Sequence, residues 1–338
     1  MKRKILVTGG AGFIGVNLVA ELLRQPDNYV IAYDNLSRSG VENNLRWLQA
    51  LNRPNFEFVR GDVRDYKKVK QVISGVDLVY HLAAQVAVTS SVAQPLEDFM
   101  TNATGTLYLL EACRQASPQV IFVFSSTNKV YGELADLKLI EGKTRYRCSG
   151  NFRGIDENRN LDFHSPYGCS KGTADQYVRD YHRIYGLKTV VFRQSCIYGP
   201  HQFGNEDQGW VAHFIIRAIR NEEIVIYGDG KQVRDVLEVS DLLKAYHLAV
   251  RKIKKCAGEI YNIGGGIENT FSLMELLSFL EKEFKKEIRY EFSNWRPGDQ
   301  KIFVSDNTKL INELGWKPIL SRERGVKKLI AWMKKYLK

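Results

Sequence analysis

Tyr167 and Lys171 stand four residues apart, just after Ser165-Pro166. Serine at an N-cap and proline at the first helical position start a helix well. The pair is therefore predicted one turn apart on a single helical face. An ammonium beside a phenol stabilises the phenolate and draws its pKa down from about ten. A tyrosine held that way is useful as a base near neutral pH. The bare spacing also occurs in helices that do no chemistry, so the pair needs a reactant beside it.

A second group of residues points to one. Gly9, Gly12 and Gly15 lie between the apolar run Lys4 to Thr8 and a stretch with Ile14, Leu18, Leu22 and Leu23 at helical spacing. Tyr29 to Tyr33 is again apolar and ends at Asp34. Strand, glycine turn, helix, strand and terminal acid form a dinucleotide-binding unit. The glycines allow a tight turn, close backbone approach to a pyrophosphate, and close helix–strand packing. The helix N-terminus aims unsatisfied N–H groups at the phosphates. Asp34, 19 residues after Gly15, can take both ribose hydroxyls and would repel a 2′-phosphate, which favours NAD over NADP. Arg38 argues the other way, since it could pair with that phosphate.

These residues require a sheet to hold them. Phe56 to Arg60 precedes Gly61-Asp62-Val63, Val76 to Leu82 precedes Ala83-Ala84, and Val120 to Phe124 precedes Ser125-Ser126. Each short apolar run leads into small or polar residues and then helical periodicity. That alternation predicts an α/β fold, a Rossmann-like doubly wound parallel sheet with ligands at the C-terminal strand ends. Residues 1–195 are expected to form the NAD-binding domain, with strands returning near 234–264. Residues 196–338 are expected to form mainly a smaller substrate-binding lobe.

Composition is that of an ordinary globule: 338 residues, 44% hydrophobic and 26% charged. It excludes a disordered chain, a collagen-like repeat and a disulfide scaffold. The five cysteines are odd in number and never spaced C-x-x-C, and no His or carboxylate pattern suggests a metal. Met1-Lys2-Arg3-Lys4 is followed by only three apolar residues, too few for a signal peptide. No apolar run suits a membrane span, so a cytoplasmic protein is expected. The net charge of +11 is lopsided, with 15 basic and 8 acidic residues from Glu281 to Lys338. Lys327-Lys328 and Lys334-Lys335 fall at helical spacing with Ile330, Trp332 and Leu337, which reads as the polar face of a final helix. No nucleic acid is expected there.

Taken in order, the motifs resemble the extended short-chain dehydrogenases/reductases that modify nucleotide sugars. They are Thr8 to Gly15, Asp34-Asn35-Leu36-Ser37, Gly61-Asp62, His81-Leu82-Ala83-Ala84, Asn102-x-x-Gly105-Thr106 and Ser125 to Gly132. Tyr167 to Lys171, Tyr198-Gly199-Pro200, Arg234-Asp235 and Tyr261-Asn262-Ile263-Gly264 complete them. The resemblance implies that Thr127 and Tyr167 contact the reacting sugar hydroxyl, while Lys171 binds the nicotinamide ribose. It implies a tightly bound, recycled NAD held by Gly9, Gly12, Phe13, Ile14, Gly15, Asp34, Asn35, Ser37, Arg38, Asp62 and Val63. Leu82, Ala83, Ala84, Asn102, Ser125 and Ser126 would complete that site with Tyr167 and Lys171. Gln85, Thr127, Asn128, Arg234, Arg296 and Asp299 would hold a nucleotide diphosphate sugar, an arginine fork being well suited to a diphosphate. A homodimer or homotetramer is also implied, through helices around Glu97 to Arg114 and Pro166 to Tyr185.

Where sugar 4,6-dehydratases of this family carry Thr-Asp-Glu, this chain has Thr127-Asn128-Lys129. Elimination of water needs an acid and a base there, so dehydration is disfavoured. Ser125 to Gly132, Thr144 to Cys148, Leu161 to Lys171, Ala174 to Tyr177 and Asp207 to Val211 resemble the members that invert C2 of a CDP-linked sugar. The C2 hydrogen of a glycosyl unit is not acidic, so inversion is expected to pass through oxidation to a 2-keto sugar and re-reduction. The alternatives are a UDP-hexose 4-epimerase and, in another class, a non-catalytic NAD- or RNA-binding member of the fold. Arg193-Gln194-Ser195-Cys196 departs from the family, where many members carry Asn, so a side-chain amide contact is not expected at Cys196.

Overall fold

The apolar runs pair as one seven-stranded sheet in a computed structural model that describes residues 3–296 and 298–336. From edge to edge the strands are Glu259–Ile263, Lys188–Gln194, Ile121–Thr127, Leu78–His81, Arg3–Thr8, Asn28–Asp34 and Phe56–Arg60. All four pairings among the first five strands of the chain are parallel. Strand order reverses between Arg3–Thr8 and Leu78–His81, which run in register from Ile5–Leu78 to Thr8–His81. Ligands of doubly wound sheets bind at the carboxyl ends of strands at such a reversal.

The sheet belongs mainly to a first compact unit, residues 3–127, 166–193 and 243–261. Its strands read as nearly continuous apolar runs because helices cover both faces. Leu6, Ile31, Val79 and Phe122 are buried with Leu109, Leu110 and Val178 of two flanking helices, Gly105–Ala116 and Ser165–Tyr185.

A second unit comprises residues 128–165, 194–242 and 262–336. Strand Val233–Glu238 lies at its centre, antiparallel to Thr270–Ser272 and parallel to both Ile302–Phe303 and Cys196–Tyr198. The long stretch between Gly132 and Tyr167 contributes an antiparallel pair, Leu139–Glu141 with Tyr146–Cys148. Helix Leu273–Phe284 begins with a capping box: Ser272 Oγ accepts from Glu275 N, and Glu275 Oε2 accepts from Ser272 N. It buries Leu276, Leu277 and Leu280 in one core with Leu329 and Met333 of the final helix, Arg322–Tyr336.

That final helix carries part of the basic excess, and two of its lysines are paired. Lys327 reaches Glu283 at 2.9 Å, and Lys328 reaches the fully buried Glu238 at 2.7 Å. Lys328 thus neutralises a carboxylate that would otherwise be buried without a cation. Among the described residues no helix is long and apolar enough to cross a membrane, and no His, Cys, Asp or Glu cluster could hold a metal.

Candidate active site

Gly9 leaves strand Arg3–Thr8 with φ +68, a conformation that favours glycine. A Cβ on Gly9 would stand 2.8 Å from Ala83 N, and one on Gly15 would stand 2.0 Å from Gly9 O. Gly12 is the N-cap of helix Phe13–Leu22 and offers no side-chain cap. The N–H groups of the first turn, which includes Phe13 and Ile14, therefore lack an N-cap side-chain acceptor. A phosphate supplies such an acceptor, and the absence of Cβ atoms lets it approach.

Asp34 is fastened at the far side of this loop. Its carboxylate accepts from Ala11 N at 3.0 Å and Leu36 N at 2.8 Å. Burial raises its pKa, and backbone N–H groups and Arg38 act against that rise. The exposed Arg38 and Ser37 follow it in the chain. Asn35 Nδ2 donates to Asp62 Oδ2 at 2.9 Å, and its Oδ1 accepts from Ser37 N. Burial would raise Asp62, but the Arg64 fork on both its oxygens prevails and holds it at about 2. Val63 is buried where a Cβ on Gly105 would meet it.

The loop after strand Leu78–His81 is tied to the first strand. Leu82 N donates to Thr8 O at 3.1 Å and Ala83 N to Thr8 Oγ1 at 3.2 Å. His81 is held between Thr8 Oγ1, 2.7 Å from Nδ1, and Thr106 Oγ1, 2.9 Å from Nε2. Burial and then Lys171 push its pKa well below the usual value, so the ring is a neutral strut. After Ala84, Gln85 exchanges backbone N–H and C=O with the Asn102 amide at 2.9 and 3.0 Å. Its own Oε1 is buried with no hydrogen-bond partner among the described residues, an acceptor open to a ligand.

Strand Ile121–Thr127 and helix Ser165–Tyr185 carry Thr127, Tyr167 and Lys171. Ser165 enters with φ +64, in the left-handed region and not the extended backbone of an ordinary N-cap. The Thr127 hydroxyl is hydrogen-bonded to Tyr167, which is almost wholly buried. Lys171 Nζ donates to Ser125 O at 2.6 Å and lies 4.2 Å from the centre of the Phe124 ring. Burial lowers Lys171 to about 7, with Asp175 and Asp98 opposing the fall.

The phenol differs from the expectation. Burial pushes Tyr167 up to about 12, the Thr127 hydrogen bond works against the rise, and the Asp98 carboxylate adds to it. The reason is geometric: the ammonium is spent on the Ser125 carbonyl and is itself pushed toward neutrality. One turn of helix aligns two side chains, but the buried surroundings decide which charge state each prefers.

Ser126 is engaged by a buried carboxylate. Its hydroxyl donates to Asp175 Oδ2 at 2.7 Å, and Arg193 forks onto the same carboxylate at 2.9 and 2.8 Å. The Arg193 and Asp175 side chains are 3% and 1% exposed, so neither has water as a substitute. Asp175→Ala is expected to cost about 3–5 kcal/mol by stranding the guanidinium. Urea unfolding measures this, and an unchanged midpoint would refute it.

Arg234, Arg296, Asp299 and Asn128 lie in the second unit. Arg234 Nη2 donates to Asp299 Oδ1 at 2.6 Å and Nη1 to Val233 O at 2.9 Å. Arg296 lies 3.7 Å from the centre of the Tyr227 ring and donates to Glu206 O at 2.6 Å. Asn128 is buried at the start of the turn Asn128–Tyr131. Lys129 donates to Gly298 O at 3.2 Å, and burial with Arg234 beside it brings its pKa down to about 8. Trp210 Nε1 is 3.4 Å from Cys196 Sγ.

Sequence reasoning did not single out Asp98, Ser170, Asp175 or Arg193, although each is packed around Tyr167, Lys171 or Ser126. Asp98 and Asp175 sit inside helical patterns, where an acid ordinarily faces solvent. Only their burial distinguishes them.

Comparison with known proteins gives a consistent set. A family described as GDP-mannose 4,6 dehydratase matches residues 6–329. The CDP-paratose 2-epimerase of Salmonella typhi is 46% identical over 336 residues, covering 97% of this chain and 98% of that protein. Among solved structures, the UDP-glucose 4-epimerase of Thermotoga maritima with UDP-glucose superposes with a TM-score of 0.85 at 34% identity, over 99% of this chain and 100% of that one. The UDP-glucuronic acid 4-epimerase of Bacillus cereus, in complex with UDP-glucuronic acid and NAD, gives 0.84 at 29% identity, over 98% and 99%.

Proposed function

This chain belongs to the GDP-mannose 4,6 dehydratase family of extended short-chain dehydrogenases/reductases, and we propose that it inverts C2 of CDP-paratose to give CDP-tyvelose. The observation that carries the chemistry is the buried Thr127–Tyr167 hydrogen bond beside a Lys171 anchored on Ser125. The 46% identity to a CDP-paratose 2-epimerase across almost the whole chain supports the substrate.

NAD is the cofactor in this reading, its pyrophosphate on the Gly9–Gly15 loop and its adenosine ribose on Asp34. When bound, NAD would supply the acceptor for a hydride from the sugar carbon and the donor for its return. In its ionised form, which the positive charge of bound NAD would favour, Tyr167 Oη takes the proton of the C2 hydroxyl as that carbon is oxidised and returns it on reduction. Thr127 orients the same hydroxyl. Atoms and electrons balance: one proton and one hydride leave the sugar, and both return. Asn128 and Lys129 supply no carboxylate for removing water, so the keto sugar is re-reduced without elimination.

The test is direct. Pure protein incubated with CDP-paratose, without added reductant, should approach an equilibrium of two C2 epimers seen by proton NMR. Unreacted CDP-paratose together with conversion of UDP-glucose to UDP-galactose would replace this reading with a UDP-hexose 4-epimerase. The likeness to the Thermotoga maritima enzyme makes that second reading worth the control.

A further inference from the structure

We propose that Asp98 is a positioning residue for the Tyr167–Lys171 pair. It tethers the catalytic helix through Ser170 and supplies a counter-charge to the buried Lys171 ammonium. The inference rests on Tyr167 and Lys171 being the acid–base pair, and not on which sugar is bound.

Asp98 lies in the short helix Pro95–Phe99, where its neighbours Leu96, Glu97 and Phe99 all face solvent. Asp98 alone is inside, at 1% exposure. Both of its oxygens accept: Ser170 Oγ donates to Oδ2, and Asn102 Nδ2 donates to Oδ1 at 3.1 Å. Asn102 Nδ2 also lies 3.0 Å from Ser170 Oγ. Two donors converging on two carboxylate oxygens suit the ionised form, which accepts only.

The tether joins three pieces of the first unit. Asn102 grips the Gln85 backbone, Asp98 grips Asn102, and both grip Ser170, the residue directly before Lys171. Ser170 Oγ also lies 3.2 Å from Tyr167 O, so the first turn of the catalytic helix is included. The loop after strand Leu78–His81, the segment Pro95–Thr104 and the reactive pair are therefore linked through side chains.

The charge matters as much as the tether. Lys171, held on the Ser125 carbonyl and over the Phe124 ring, feels Asp175 on its own helix and Asp98 on the neighbouring segment, and itself acts on the neutral His81. Both carboxylates favour the ammonium, but Asp175 is already forked by Arg193. Asp98 is held by the Ser170 and Asn102 donors, and Lys171 is the cation that acts on it. The same charge raises the Tyr167 phenol. Asp98 thus favours the ammonium form of Lys171 and acts against ionisation of Tyr167.

Asp98→Asn removes the charge and keeps an acceptor, while Ser170→Ala cuts the tether and keeps the charge. With ¹³Cε-labelled lysine, the Lys171 signal, assigned by Lys171→Met, should titrate about one pH unit lower in Asp98→Asn than in the parent. The basic limb of the kcat–pH profile should move down with it, leaving roughly tenfold less turnover above the parent's midpoint. Ser170→Ala should lower kcat at every pH without moving the limb. A lysine midpoint and limb that coincide in Asp98→Asn and parent would overturn the proposal. If Asp98→Asn does not fold, the parent decides: its Asp98 carboxyl ¹³C signal must inflect at the Lys171 midpoint, and no inflection there refutes the coupling. The lysine titration needs no substrate. A Tyr167→Phe enzyme that stays active would remove the acid–base reading and leave the lysine shift standing.

Discussion

Tyr167→Phe is expected to reduce kcat by about 10²- to 10⁴-fold while the protein keeps its fold and its NAD. The ring of Tyr167 is almost wholly buried, and phenylalanine fills the same space, so packing changes little. What disappears is the one oxygen hydrogen-bonded to Thr127 and able to exchange a proton with the sugar. Retention of cofactor is expected because the glycine loop and Asp34 are untouched. Two measurements are needed together: turnover of CDP-paratose, and NAD released on denaturing the purified protein. Loss of both would indicate a damaged site. Retained turnover would place the base elsewhere.

The second large effect lies at Gly15. A Cβ there would stand 2.0 Å from Gly9 O and 2.8 Å from Gly10 Cα, both of them backbone and neither able to rotate away. Gly15→Ala must therefore push the loop away from the helix, spreading the N–H groups that a pyrophosphate would bridge. The expected result is protein purified without NAD and a lower melting temperature, one kcal/mol corresponding to roughly 1–2 °C at about 2.1 cal/mol/K per residue. Gly75→Ala makes the control. Its φ of +69 costs about 1 kcal/mol, but nothing lies within 4 Å of the added carbon, so NAD should stay. Gly15→Ala protein that retains a full complement of NAD would refute the close-packing account.

Much of the site was legible because its signals are local. The Gly9–Gly15 spacing needs one turn, Asp34 needs one strand end, and Tyr167 with Lys171 needs one helical turn. Each is set by backbone geometry within a few residues, and the structure places each at the C-terminal side of the sheet strands or on the catalytic helix. The basic C-terminal helix was legible only in part. Its periodicity marked a polar face, but nothing in the spacing of Lys327 and Lys328 shows that one of them meets the buried Glu238, ninety positions away.

The sequence by itself thus determined the parallel α/β sheet, the glycine turn after its first strand and the placing of Tyr167 and Lys171 one turn apart, because periodicity and turn chemistry act over short stretches of chain. Only the tertiary structure decided that Asp98 and Asp175 are inside, that residues 128–165 join the second unit, and that the Tyr167 phenol is raised and not lowered. Burial sums contributions from strands and helices remote in the chain. A carboxylate or phenol responds to that sum far more than to a neighbour four residues away.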